Sequence, residues 1–154
     1  MNYIWAFDLS LSNTGICIFN EREEPVCVTS VSTSSKMETK DRLKIIGDFV
    51  LNLRKRYPTN LIVLEAGFTR FNLSTQILFR VHGLINYLFA NCEQIYFPSS
   101  TIKKIIAGNG KADKRQIREI ISRKYPELVM NNDDESDAVS IGECFFARRK
   151  HEGV

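Results

Sequence analysis

Apolar and polar positions change period along this chain, and each change marks an element. Residues 3–8, Tyr-Ile-Trp-Ala-Phe-Asp, form a short apolar run ending on an acid, as a buried strand does. Leu9 to Thr14 is polar and predicts a turn. Gly15–Asn20 predicts a second strand, and the alternating Val26–Thr33 a third. Short connections between the three imply an antiparallel meander. The period then lengthens. Ser35 and Glu38 have capping-box spacing, and Leu43, Ile46, Val50, Leu53 and Tyr57 recur with Lys and Arg between them. This predicts an amphipathic helix stopped by Pro58.

Leu61–Glu65 is another apolar strand ending on an acid. Asn72–Cys92 carries Ile77, Leu78, Val81, Leu84, Ile85, Leu88 and Phe89 at helical spacing, and Leu73, Phe79 and Tyr87 widen the stripe. A helix so broadly apolar is central in the core or shared with another subunit. Within it, His82 reads as a core or interface residue. Ile95–Phe97 predicts a last strand ended by Pro98. Three helices follow: Ser99–Ala107, stopped by Gly108-Asn109-Gly110; Asp113–Tyr125, with Asp113 and Gln116 as a capping box; and Asp134–Arg149. The order βββαβαβααα, with no repeat or linker, predicts one α/β domain over residues 1–154, built on a five-stranded mixed sheet flanked by helices.

Composition narrows the class. A chain of 154 residues can bury ~70% of its unfolded surface, and 44% hydrophobic with 25% charged residues argues against disorder. No run of 18 apolar residues exists, so no membrane-spanning helix is expected. The opening Met-Asn-Tyr-Ile-Trp lacks the basic start of a secretory signal. Cys17, Cys27, Cys92 and Cys144 form no CxxC pair and fit no zinc spacing. Reduced thiols and a cytoplasmic location, bacterial or in a phage-infected host, are the expectation.

The net charge is only +3, but its placement is uneven. Lys103, Lys104, Lys111, Lys114, Arg115, Arg118, Arg123 and Lys124 stand against Asp113 and Glu119 in one stretch. A solvated helix face is the ordinary reading of such a run. A phosphate-binding surface is the alternative, with backbone N–H groups of the Gly108–Gly110 turn as further donors. Arg148-Arg149-Lys150 adds to that surface or simply ends a helix.

Four carboxylates stand at unusual places. Asp8 and Glu65 each end an apolar strand, and Asp134 and Asp137 open the last helix three residues apart, on one face. Taken singly, each has an ordinary role in a turn or at a helix N-terminus. Together, on strand ends where α/β sheets gather ligands, they call for a cation to offset burial. Oxygen donors in a chain with two histidines select a hard ion, Mg²⁺ or Mn²⁺. Asp133 and Glu135 read as additional local charge, and Ser10, Ser12 and Asn13 as turn residues within reach of a phosphate.

In order along the chain stand Asp8-Leu-Ser-Leu-Ser-Asn-Thr-Gly15, Leu64-Glu65-Ala66-Gly67-Phe68, Gly108-Asn109-Gly110-Lys111-Ala112-Asp113-Lys114 and Asp133-Asp134-Glu135-Ser136-Asp137-Ala138. This set, spanning about Tyr3 to Arg148, resembles the RuvC-type Holliday junction resolvases of the ribonuclease H-like superfamily. The resemblance implies a ribonuclease H-like fold and a metal-dependent endonuclease that nicks four-way DNA junctions in symmetric pairs. It implies a catalytic, metal-binding tetrad of Asp8, Glu65, Asp134 and Asp137, with Asp133 as the competitor for the third place. Two Mg²⁺ ions per site are expected, with Mn²⁺ as a substitute, and Asp8 is expected to bridge them because a central strand holds it most rigidly. Phe68, or its neighbour Phe71, would meet the opened junction centre. Lys103 and Lys114 would lie near the scissile backbone, with Lys104, Lys111, Arg115 and Arg118 on the same DNA-binding surface. The 72–92 helix would form a homodimer. Leu9-Ser10 replaces the family's common Pro-Gly, as in phage-encoded relatives, which implies a looser substrate choice. The alternatives are a nuclease that debranches flaps, forks and Y-junctions in phage replication, and a non-catalytic junction binder. Four intact acids argue against the binder. A sugar-kinase-like ATPase would need a second phosphate loop and a longer chain.

Overall fold

The structure, a computed structural model, describes residues 1–67 and 72–153. Its elements follow the expected order: β1 (Tyr3–Asp8), β2 (Asn13–Phe19), β3 (Pro25–Ser32), α1 (Thr39–Arg56), β4 (Thr59–Glu65), α2 (Leu73–Leu88), β5 (Glu93–Phe97), α3 (Ser99–Ala107), α4 (Lys114–Lys124) and α5 (Asp133–His151). The sheet order is β3-β2-β1-β4-β5. The first three strands pair antiparallel, whereas β1–β4 and β4–β5 pair parallel, the connections running through α1 and α2. Parallel pairing requires such crossovers, which is why the helical pattern begins after the third strand.

Period-two alternation sorts the strand side chains onto two faces. Trp5, Phe7, Ile16, Ile18, Ile62 and Leu64 pack with Val50 of α1 and Val81 and Ile85 of α2. On the other face Ala6, Cys17 and Val63 are small and lie with Ala138, Val139, Ile141 and Cys144 of α5. Small side chains under α5 let it sit close to the sheet, and it is buried from Glu135 to Phe146 except Asp137. Asp8 and Glu65 continue the faces of Ala6 and Val63, so both carboxylates project on the α5 side.

Local signals were met unevenly. Asp113 and Gln116 do form a capping box on α4, and Gly108 ends α3 in the left-handed conformation at φ 75°. Ser35 and Glu38 do not cap α1. That helix starts at Thr39 after an extended Glu38, because Ser34 to Met37 is taken up by a turn closed by Met37 N–H on the Ser34 carbonyl. Strand β2 starts two residues earlier than expected, since Asn13 and Thr14 pair with Ser32 and Val31 of β3. Helix α2 stops at Leu88, short of Cys92. His82 is buried between Phe79 and Tyr96, as the core reading requires. All four cysteines are free thiols, Cys17 and Cys144 buried and Cys27 and Cys92 half-buried. Among the described residues no helix is long and apolar enough to cross a membrane.

Candidate metal centre

Two registers and one helix end assemble the site. Phe7 pairs with Leu64 in the parallel β1–β4 ladder, so Asp8 and Glu65 leave adjacent strands side by side. Asp8 pairs with Gly15 across β1–β2, and the Asp134 backbone at the start of α5 lies against Gly15. The helix N-terminus thereby arrives over the end of β1. Asp8, Asp134 and Asp137 each offer one carboxylate oxygen, all within 4.8 Å of one another. Glu65 lines the adjoining cleft with Asp137, Ser99, Lys103 and Lys114.

This crowding shows in the acidities. Burial, the Asp137 charge and a hydrogen bond with Asp134 push the Asp8 carboxyl up to about 8. Burial also raises Glu65, while a hydrogen bond from Ser99 and the charges of Lys114 and Lys103 pull it back. Asp137 is raised by burial against the opposing pull of Arg118 and Lys114. Carboxylates held this close in a half-buried cleft repel unless a cation or a proton intervenes. The donors are all oxygen, and His82 is sequestered in α2. The residues present therefore fit a hard divalent cation.

Of Asp133 and Asp134, it is Asp134 whose carboxylate lies with those of Asp8 and Asp137. Asp133 is exposed and reaches outward to Arg118 at 3.1 Å. Asp134 Oδ2 instead accepts a 2.7 Å hydrogen bond from Asn13 Nδ2. Glu135 is no surplus charge either: it is buried, accepting from Ser30 Oγ at 2.9 Å and from the Asn131 N–H at 2.7 Å. It ties the start of α5 to β3. The sequence marked neither Asn13 nor Glu135 as a partner of the site. The signal available for Asn13 was its polarity at the head of a strand, two residues before Gly15.

The basic stretch divides into two groups. Lys103 and Lys114 border the cleft, and Lys114 Nζ is 3.7 Å from Asp137. Arg118 is only partly exposed, with Nη1 on Asp133 and Nη2 3.4 Å from Asp137, while its Nε is buried without a partner among the described residues. Lys104, Lys111 and Arg115 are exposed, Arg115 pairing with Glu119. Around the Gly108–Gly110 turn, Gly108 N–H bonds to the Lys104 carbonyl, Lys111 N–H and Ala112 N–H bond to Asn109, and Asp113 and Gln116 satisfy each other. Phe68 and Phe71 lie outside the described residues.

The family model for crossover junction endodeoxyribonuclease RuvC matches residues 4–145. A crossover junction endodeoxyribonuclease RuvC of Corynebacterium efficiens is 36% identical over 130 residues, 78% of this chain and 56% of the other. The chain thus spans little more than half the length of that relative. The RuvC of Rickettsia bellii is 33% identical over 115 residues, 72% of this chain and 73% of its own. The fold is that of Thermus thermophilus RuvC, with a TM-score of 0.81 at 17% identity over 98% of this chain and 96% of that one. The same protein solved in complex with a Holliday junction substrate also superposes with a TM-score of 0.81, at 13% identity and the same coverage. With three aspartates meeting at the end of the central strand and Glu65 in the adjoining cleft, the chain belongs to the RuvC family of crossover junction endodeoxyribonucleases.

Proposed function

We propose that this protein is a metal-dependent, structure-selective DNA endonuclease that resolves four-way junctions by paired symmetric nicks. The observation carrying this reading is the meeting of Asp8, Asp134 and Asp137 oxygens within 4.8 Å, beside Glu65, on a RuvC-family chain. Relatives named as crossover junction endodeoxyribonucleases, and the Thermus protein's complex with a Holliday junction, supply the substrate class. The catalytic unit is a single domain over residues 1–154.

Asp8, Glu65, Asp134 and Asp137 would hold Mg²⁺, two ions in the full site, with Mn²⁺ able to replace it. Such ions acidify a bound water and offset charge on the leaving oxygen of a phosphodiester. Asp8 would be the ligand common to both ions, because its central strand is held on both sides. Lys103 and Lys114 border the cleft and neutralise the phosphate that enters it. Lys104, Lys111 and Arg115 bind flanking backbone, and Phe68 stacks on bases of the opened junction. Arg118 borders the same surface, already engaged with Asp133 and Asp137. Two copies pair through α2, which leaves Leu73, Phe79 and Tyr87 exposed. A two-fold dimer would present two sites to two strands. The cytoplasm suits a DNA-acting enzyme with four free thiols.

The test is cleavage of a four-way junction, a fork, a flap and linear duplex, with Mg²⁺ or with EDTA. Paired nicks in the junction that need Mg²⁺, abolished in Asp8→Asn while junction binding persists, support the reading. Equal cutting of forks and flaps would replace it with a general debranching activity. Binding with no cleavage by the wild type would make the protein a junction binder. Sedimentation at micromolar concentration showing only monomer would remove the α2 dimer.

A further inference from the structure

Asp134 is held by a neutral side chain that has a partner of its own. Asn13 Nδ2 donates to Asp134 Oδ2 at 2.7 Å, and Ser32 Oγ donates to Asn13 Oδ1 at 2.7 Å. The sheet builds this relay, since Asn13 and Ser32 are cross-strand partners in β2–β3. The β1–β2 turn fixes the Asn13 backbone as well. Ser10 Oγ accepts from the Asn13 N–H at 3.0 Å and donates to the Asn13 carbonyl at 2.8 Å, and buried Thr14 donates to the Ser10 carbonyl. Only one orientation of the amide works. An ionised carboxylate accepts and never donates, so Nδ2 must face Asp134 and Oδ1 must face Ser32.

From this geometry we infer that Asn13, oriented by Ser32, is a positioning residue that presets the Asp134 carboxylate for a divalent cation. The inference rests on the metal-centre reading of Asp8, Asp134 and Asp137. One N–H on Oδ2 fixes the carboxylate plane, and with the Asp8 contact given up to a cation, roughly three of its four acceptor sites are left. A neutral donor is suited to that task. Lys114 and Arg118 beside Asp137 bring positive charge that competes with a bound cation, whereas an amide orients its carboxylate and leaves the charge intact. Outer partners of metal ligands typically carry ~10–100-fold in affinity.

The experiment measures Mn²⁺ binding to the DNA-free protein by the loss of the free-ion paramagnetic resonance signal. It is run on wild type, Asn13→Ala, Ser32→Ala, Ser32→Thr and the double alanine variant. Thermal midpoints and junction affinity in EDTA are measured alongside. The relay requires Asn13→Ala to weaken Mn²⁺ binding by ~10-fold, with the midpoint and EDTA junction affinity of the wild type. Ser32→Ala should weaken it less, Ser32→Thr should keep wild-type binding, and the double variant should match Asn13→Ala alone. Unchanged Mn²⁺ binding in Asn13→Ala overturns the proposal. So does a loss that runs parallel to a fall in midpoint or in metal-free junction binding, which would make Asn13 merely structural. Wild-type protein that takes up no Mn²⁺, or Asp8→Asn that binds it equally well, would instead overturn the metal centre itself.

Discussion

Gly15 lies directly beneath Asp134: a β-carbon at Gly15 would overlap the Asp134 carbonyl, which is main chain and cannot swing aside. The contact spans most of the chain and sets how far α5 descends onto the sheet. Gly15→Ala should therefore cost ~1–3 kcal/mol by overpacking and push Asp134 away from Asp8. Urea unfolding together with Mn²⁺ titration checks this. A variant as stable as the wild type with unchanged metal affinity would show that α5 is free to rise.

Asp8 makes metal-free stability depend on pH in a defined direction. Its folded pKa, pushed up to about 8, lies above the ordinary value of 3.8. The folded state therefore keeps a proton that the unfolded chain releases, and stability falls as pH rises from about 4 towards 8. Glu65 and Asp137 are raised as well and add the same sign. In EDTA the thermal midpoint should drop between pH 5 and pH 8, less steeply in Asp8→Asn. Added Mg²⁺ should raise the midpoint more at pH 8 than at pH 5, because a cation competes with the proton.

The basic residues should separate in a salt titration of junction binding. Lys104 and Lys111 are exposed, and each alanine variant should flatten the dependence on salt by ~1 in the log–log slope. Arg118 is engaged with Asp133 and Asp137, its side chain 27% exposed. Arg118→Ala should leave that slope nearly unchanged. A slope that falls as much for Arg118→Ala as for the lysines would mean that DNA draws Arg118 out of these pairs.

Glu135 should matter for stability although it is outside the acidic cluster. Truncation to alanine strips the Asn131 N–H and the Ser30 hydroxyl of their shared acceptor at a buried position. A loss of ~1.5–3 kcal/mol is expected from the hydrogen bonds to a charged acceptor that disappear, measured by urea denaturation. Glu135→Gln keeps an acceptor and should lose less.

Much of this is legible in the sequence. Asp8 and Glu65 end apolar runs, and a two-residue period puts them on the faces of Ala6 and Val63. Asp113 and Gln116 announce a helix start through contacts three residues apart. Such features depend on neighbours a turn or less away, and local sequence encodes them directly. The helix start at Thr39 is not legible in the Ser35–Glu38 pair, because spacing alone matches a capping box whether or not the intervening backbone is turned as a helix.

Spatial selection among equivalent residues belongs to the tertiary structure. Asp133 and Asp134 are chemically identical and adjacent. What separates them is the rotation of α5 over Gly15, which sends one out to Arg118 and the other in to Asn13. The Asn13–Asp134 bond joins residues 121 positions apart, a distance at which periodicity carries no information. The order of strands and helices, the acids at strand ends and the concentration of positive charge follow from the chain's own pattern. Burial of Glu135, engagement of Arg118 and the choice of Asp134 follow from close packing of a helix on small side chains, which only the assembled fold decides.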